Sequence, residues 1–297
     1  MTQSKHITVG GTDVNQVVMG NDLPFTLIAG NCQMQSRDLS MKTCEYLVKL
    51  CEKLKIGFVF KNSYDKANRN ALKGDRGVGL EYAMPVFDEI RKTFKCPVLT
   101  DVHTEEQAAT VAPHVDVEQQ PAFLVRQTDL TVAIAKNARA INIKKSQFQA
   151  PGEMGNIIGK AEASGNTNIM LTERGSCFGY GNLVVDTRSY VIMSETGYPV
   201  VCDATHSVQR PAAMGSSSGG DGWMAPYIAR AALATGRIAA LFIETHPEPL
   251  EGGSDRMNMI PLMYMEEILK QFKAVDEAAK ANPARAESDW NQAGAPI

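Results

Sequence analysis

Four side chains far apart in the chain, Cys32, His206, Glu244 and Asp255, offer a thiolate sulfur, an imidazole nitrogen and two carboxylates. Mixed sulfur, nitrogen and oxygen donors suit a divalent metal ion such as Fe, Zn or Mn, provided the fold gathers them. Nothing local announces the set, as a CxxC pair would. On residue type alone His206 serves equally well as a general base, and His246 equally well as the ligand. A second group is cationic: Lys61, Lys66, Arg69, Arg126, Lys144 and Arg174. Gathered at one place these side chains would repel one another unless anions neutralised them, so ligands bearing phosphate or carboxylate are implied. The alternative for any single one is a neighbouring Asp or Glu. A lysine so placed, Lys61 or Lys144, has a further use open to it as the nucleophile that forms a Schiff base with a carbonyl substrate.

These residues close short apolar runs, or lie just beyond them. The runs are 25–30, 57–61, 98–103, 115–119, 140–145, 168–174, 200–206 and 240–246. Segments with apolar residues at helical spacing lie between them, among them 39–54, 80–94, 130–138 and 224–234. Continuously apolar strands alternating with helices predict a parallel sheet covered on its outer face, and eight such units close into a (β/α)8 TIM barrel, a single domain over residues 1–297. In such a barrel the reactive groups sit at the carboxyl ends of the strands. The polar residues to read are therefore Cys32, Lys61, Asp101, His103, Gln119, Lys144, Arg174, Asp203, His206, Glu244 and His246. Ahead of the first unit, Ile7-Thr8-Val9 and residues 14–19 flank Gly10-Gly11, which predicts an N-terminal β-hairpin within residues 1–20 that closes the bottom of the barrel. The tail 281–297 is rich in Ala, Pro, Asn and Gly and is expected to be extended or loosely held. Ser216-Ser217-Ser218-Gly219-Gly220 precedes a helix and reads either as a cradle of backbone amides for phosphate or as a lid.

With 297 residues, 44% of them hydrophobic, the chain can bury a large core. Its formal net charge is -3, with both signs interspersed. Neither a nucleic-acid surface nor a basic membrane patch is suggested. The amino terminus lacks the apolar core of a signal peptide and no stretch approaches a membrane span, which predicts a soluble cytoplasmic protein. The six cysteines form no disulfide framework. Cys44, Cys51, Cys96 and Cys202 read as core thiols, and Cys177, with no base beside it, as a packing residue.

As motifs, the strand ends resemble the 3-deoxy-D-manno-octulosonate 8-phosphate synthase family over nearly the whole chain. The resemblance is carried by Asn21-Asp22-Leu23-Pro24-Phe25, Ser36-Arg37-Asp38-Leu39, Phe60-Lys61 with Asp65-Lys66-Ala67-Asn68-Arg69, and Pro121-Ala122-Phe123-Leu124 with Arg126-Gln127-Thr128-Asp129-Leu130. It continues through Asn142-Ile143-Lys144-Lys145, Arg174-Gly175, Phe178-Gly179-Tyr180, Asn182-Leu183-Val184-Val185-Asp186, Asp203-Ala204-Thr205-His206-Ser207-Val208-Gln209 and Glu244-Thr245-His246-Pro247. That family condenses phosphoenolpyruvate with arabinose 5-phosphate and water, releasing inorganic phosphate, on the way to the sugar core of lipopolysaccharide. The resemblance implies that Lys61, Lys66, Lys144 and Arg174 hold phosphoenolpyruvate, with Ser63, Gln119 and Gln209 among the substrate-binding neighbours. Asn68 and Arg69 are implied at the sugar phosphate, joined by Arg126 from an adjacent subunit of a homotetramer. Lys66, His206, Cys32 and Asp255 are implied at the reacting atoms. The serine- and glycine-rich loop becomes a lid. In this family a cysteine at position 32, where other members carry asparagine, marks the metal-dependent type, with Cys32, His206, Glu244 and Asp255 as ligands. The chain departs from the pattern at Gln35, at Asn70 and over residues 71–75, which bears on how the sugar phosphate is held. Three other readings compete: the related 3-deoxy-D-arabino-heptulosonate 7-phosphate synthases, which take erythrose 4-phosphate, a Schiff-base aldolase, and a sugar-phosphate sensor without catalysis.

Overall fold

Alternate residues of a strand face opposite sides of a sheet, so once the sheet closes on itself parity decides which side chains look inward. The computed structural model describes residues 2–11, 13–68, 74–211, 218–285 and 290. Its central strands are β1 (Thr26–Gly30), β2 (Gly57–Lys61), β3 (Val98–Asp101), β4 (Val117–Gln120), β5 (Ala140–Lys144), β6 (Ile169–Glu173), β7 (Val200–Asp203) and β8 (Ala240–His246). Each pairs in parallel with the next, and β8 pairs with β7 on one side and β1 on the other, so the sheet is a closed barrel. The helices that follow are α1 (Arg37–Leu54), α2 (Leu80–Phe94), α3 (Glu105–Val111), α4 (Thr128–Asn137), α5 (Met154–Ala163), α6 (Arg188–Ser194), α7 (Ala225–Leu233) and α8 (Met265–Ala281). This is the (β/α)8 barrel expected from the run-and-helix pattern.

Two apolar layers hold it. Outward residues such as Leu27, Phe58, Ile141 and Leu171 pack against α1 to α8 in one large cluster. Inward residues Ile28, Val59, Leu99, Val117, Ala140, Met170, Val201, Ala240 and Phe242 fill the lower barrel, each full burial contributing about 1.5 to 3 kcal/mol for the larger side chains. Ile7, Val9 and Met19 of the hairpin formed by Ile7–Val9 and Val17–Met19 join that inner cluster. The hairpin therefore seals the amino-terminal mouth, as expected, although its second strand is shorter than 14–19. Side chains cap the starts of α1 and α3: Ser36 Oγ accepts from Leu39 N and Thr104 Oγ1 from Gln107 N.

Several strands stop short of their apolar runs, with a physical cause at β7. Asp203 Oδ1 accepts from His206 N at 3.0 Å, and this local bond draws the chain out of the ladder into the 3-10 turn His206–Val208. After β8 the chain makes an excursion over the rim and returns through Ile260–Pro261, paired in parallel beside Thr245 and His246. Among the described residues no helix is long and apolar enough to cross a membrane.

Candidate active site

Above the apolar inner layer, parity turns Lys61, Asp101, Gln119, Lys144, Asp203 and Glu244 inward at the carboxyl ends of β2, β3, β4, β5, β7 and β8, and Arg174 continues the inward positions of β6. They surround a cavity of about 900 Å³, which Lys66, Asn68, His103, His206, Gln209 and Asp255 also line. The cations are tied down. Lys61 Nζ donates to Glu244 Oε1 at 2.5 Å and to Cys32 O at 2.9 Å. Lys144 Nζ donates to Asp203 Oδ2 at 2.5 Å and lies over the Phe242 ring, 3.7 Å from its centre. Lys66 Nζ donates to Ser63 Oγ at 3.1 Å, and Ser63 in turn donates to Asp101. Arg174 Nη2 donates to Gln209 Oε1 at 3.0 Å, while its Nη1 is buried with no partner among the described residues. A row of side-chain bonds supports this floor: Thr172 Oγ1 donates to Asn142 Oδ1 and Asn142 Nδ2 to Gln119 Oε1 at 3.0 Å, which leaves the Gln119 amide donors for the cavity.

Beside the cations the donor set gathers. One ligand atom each from Cys32, Glu244 and Asp255 lies within 4.8 Å of the other two, with Cys32 Sγ 3.5 Å from Asp255 Oδ2. His206 Nε2 stands 3.6 Å from Glu244 Oε2 and 3.7 Å from Asp255 Oδ2, while its Nδ1 is 2.8 Å from Asp203 Oδ2. An imidazole steadied by a carboxylate on one nitrogen and facing oxygens with the other has the arrangement of a metal-binding histidine. Glu244 Oε2 is buried without a hydrogen-bond partner among the described residues. A thiol and two acids crowded together with an orphaned oxygen fit a cation, whose charge offsets the crowding. Asp255 has φ of 48°, a left-handed conformation that Asp tolerates better than most residues and that aims its carboxylate at the group. His246 does not join: its Nε2 lies 3.0 Å from Gln35 Oε1 and its Nδ1 accepts from Glu248 N, so both ring nitrogens are engaged.

Burial and charge act against each other throughout. Burial opposes ionisation of Asp203, yet His206 and Lys144 outweigh it and hold that carboxyl well below the usual range. Burial likewise opposes the charge on Glu244, and His206, Lys61 and Lys66 bring it down to about 2. Burial pushes the Cys32 thiol far up, reinforced by Glu244, so only a cation at the site would draw off its proton. Burial pulls Lys144 and Arg174 below their ordinary ranges, with Asp203 pulling the other way on both. For Lys66 burial acts downward too, but Cys32, Glu244 and Asp101 raise it above the usual lysine value.

Of the residues singled out in the sequence, Lys61, Lys66, Asn68, Gln119, Lys144, Arg174, His206, Gln209, Glu244 and Asp255 line this cavity, and Cys32 and Ser63 stand behind it, against Asp255 and Lys66. Arg126 is exposed and is not among its lining residues. Arg69 and Asn70 lie outside the described residues, as do 71–73, residues 212–217 of the lid and most of the tail, 286–289 and 291–297. Of that lid, Gly219–Gly220 is described and pairs with Gln209–Arg210. Cys44, Cys51, Cys96 and Cys202 are buried, as expected of core thiols. Two pairings escaped the sequence reading. Asp101 and His103 were expected at the strand end, but not their contact: His103 Nε2 lies 3.0 Å from Asp101 Oδ2, beside the Lys66–Ser63 bond. On the outer side, Lys145 and Glu173 form a buried ion pair at 3.4 Å. Glu173 Oε1 accepts from the backbone of Arg174 and Gly175, and Lys145 donates to Ser146 O, Gln149 O and Ser176 Oγ. This pair ties together the two loops whose inward residues are Lys144 and Arg174, and no composition signal marks it.

Comparison with known proteins gives the family. The model of the DAHP synthetase I family matches residues 4–281. A 2-dehydro-3-deoxyphosphooctonate aldolase of Mesorhizobium japonicum is 51% identical over 281 residues, covering 94% of this chain and 99% of that protein. Proteins with the same name from Rhizobium meliloti and Granulibacter bethesdensis are 50% and 51% identical, covering 95% and 94% of this chain and 100% and 97% of their own lengths.

Proposed function

From the premise that this chain belongs to the DAHP synthetase I family, and within it to the 2-dehydro-3-deoxyphosphooctonate aldolases, we propose that it condenses phosphoenolpyruvate with D-arabinose 5-phosphate and water. The products are 3-deoxy-D-manno-octulosonate 8-phosphate and inorganic phosphate, and the enzyme is a transferase forming a carbon–carbon bond in lipopolysaccharide biosynthesis. The observation that carries this reading is the row of Lys61, Lys66, Lys144 and Arg174 around a cavity large enough for two anions, immediately beside the sulfur, nitrogen and oxygen donor group.

Lys61, Lys66, Lys144 and Arg174 bind the carboxylate and phosphate of phosphoenolpyruvate, with the unpartnered Arg174 Nη1 and the Gln119 amide as ready donors. Asn68 and Arg69, with Arg126 of a neighbouring subunit, take the sugar phosphate. Holding C3 of phosphoenolpyruvate against the sugar aldehyde turns a two-body encounter into a local one, worth ~7 to 11 kcal/mol of barrier. As C3 bonds to C1 the aldehyde π pair moves onto its oxygen, which takes a proton, and positive charge develops at C2. Water adds at C2 and gives up one proton, the bond from C2 to the phosphate oxygen breaks with its electron pair leaving on phosphate, and loss of the second water proton leaves the C2 ketone. Lys66, Asp101 and His103 line the same cavity and are linked through Ser63, a chain that supports proton transfer to or from the sugar end. A divalent ion of the Fe, Zn or Mn kind, held by Cys32, His206, Glu244 and Asp255, would supply Lewis-acid polarisation at the reacting oxygen. This makes the enzyme the metal-dependent type. Because both substrates are phosphorylated and do not cross membranes unaided, we place it in the cytoplasm. The exposed Phe123, Phe148, Phe178, Tyr180 and Trp223, on loops and 3-10 turns beyond the strands' carboxyl ends, support association of chains through that rim, and a homotetramer is the assembly we propose.

The test is phosphate release with arabinose 5-phosphate against erythrose 4-phosphate, before and after chelation, for the wild type and Cys32→Asn. Expected are preference for the five-carbon sugar, loss of activity on chelation, recovery with a divalent ion, and an altered response to metal in Cys32→Asn. Preference for erythrose 4-phosphate would move the chain to the heptulosonate synthases. Borohydride trapping of substrate on a lysine would favour the Schiff-base aldolase, and binding of both ligands without product would favour the sensor. Activity indifferent to chelator would remove the metal and leave the condensation.

A further inference from the structure

One side chain touches both halves of this site. Gln209 follows directly on the turn His206–Val208, its backbone N–H donating to His206 O, so the turn that delivers His206 also delivers Gln209. Gln209 Oε1 accepts from Arg174 Nη2 at 3.0 Å, and Gln209 Nε2 donates to Asp255 Oδ1 at 2.8 Å. A guanidinium only donates and a carboxylate only accepts, so the amide has a single workable orientation between them. Each contact leaves the functional atom free. With Oδ1 occupied, Asp255 turns Oδ2 toward Cys32 Sγ and His206 Nε2, at 3.5 and 3.7 Å. With Nη2 occupied, Arg174 leaves Nη1 buried and unpartnered among the described residues. Arg174 and Asp255 also attract each other as opposite charges in a buried site. Without the interposed amide that attraction would draw them into an ion pair, taking the carboxylate from the donor group and the guanidinium from the anion.

We propose that Gln209 is a positioning residue that ties the anion clamp at Arg174 to the donor group at Asp255, so that phosphoenolpyruvate and a divalent ion strengthen each other's binding. The proposal rests on the reading of the site given above. Linkage requires the effect to be reciprocal. An anion that fixes Arg174 fixes Gln209 and through it the Asp255 carboxylate, and an ion on Asp255 does the converse.

The experiment strips the full-length protein with chelator and titrates Zn(II) alone in competition with a chromophoric chelator, with and without phosphoenolpyruvate. It compares the wild type with Gln209→Met, which fills the same space without polar atoms, and thermal unfolding checks the fold. In the wild type phosphoenolpyruvate tightens Zn(II) binding roughly fivefold or more. In Gln209→Met, Zn(II) binding weakens roughly 10- to 100-fold and the response to phosphoenolpyruvate disappears. Should that variant unfold, Gln209→Glu keeps an acceptor for Arg174 but turns an acceptor toward Asp255, and it too should lose the response. A full wild-type response in either folded variant overturns the tie while leaving the metal reading standing. A wild type that binds no Zn(II) overturns both.

Discussion

At the scale of single residues, the site is a set of charges that are stable only in one another's company. Lys61 and Lys144 are almost wholly buried, and each holds a carboxylate at 2.5 Å. Those bonds keep the cations oriented at the cavity. One buried acid has no such company. Glu118 on β4 points outward into the helical layer, is wholly buried, and neither carboxylate oxygen has a partner among the described residues. Burial pushes its carboxyl up to about 8 from 4.5. The folded state therefore favours the protonated form. Its contribution is fully present below 4.5 and is lost as pH rises toward 8, at a cost on the order of 3 kcal/mol at pH 7. Glu118→Leu should raise stability at pH 7 by about 1 to 3 kcal/mol in guanidinium unfolding and flatten the decline between pH 5 and 8. A variant less stable than the wild type at pH 8 would show that the acid has an ionic partner.

At the scale of elements, the strands set which residues meet, and the loops set how firmly. Lys144 and Arg174 stand at the ends of β5 and β6, and their outward neighbours Lys145 and Glu173 form the buried pair that closes the two loops on each other. Breaking a buried pair from one side leaves an unpaired charge, which costs about 3 to 5 kcal/mol. Lys145→Met should lose that much stability in urea unfolding. It should also raise the KM for phosphoenolpyruvate several-fold more than that for the sugar phosphate, because the loops it loosens carry Lys144 and Arg174 of the proposed phosphoenolpyruvate clamp. Equal changes in both KM values would reduce the pair to general support of the fold. Gly30 shows a related constraint at β1: a Cβ there would fall 1.9 Å from Lys61 O, so the strand that leads to Cys32 can pass β2 only as glycine.

At the scale of the whole molecule, the barrel gathers chemistry on one rim and plugs the other with the hairpin. Large apolar side chains stand exposed on that same rim, and Arg126 lies outside its own cavity. Light scattering on the purified protein should give the mass of four chains, and Arg126→Ala should weaken sugar-phosphate binding about tenfold without changing that mass, as expected for removal of one charge-assisted contact. A fully active monomer would sink the assignment of Arg126 across subunits.

The alternation of apolar runs with helical periods was enough to read the barrel and its hairpin, because local hydrophobic spacing and short connections leave a closed parallel sheet as the way to bury every strand. Strand-end reading likewise placed Lys61, Gln119, Lys144 and Glu244 at the mouth, since side-chain parity follows from chain position alone. Residue type alone left His206 and His246 equal, and only the family resemblance favoured His206. The choice depends on Asp203 bending the chain after β7 and on Gln35 and Glu248 engaging both nitrogens of His246. The orientation of Gln209 between Arg174 and Asp255, the outer Lys145–Glu173 pair and the orphaned Glu118 were invisible for the same reason. Which residues face inward is a property of each strand by itself, whereas which polar atoms pair, and which are left without a partner, depends on distances between segments that only the closed barrel defines.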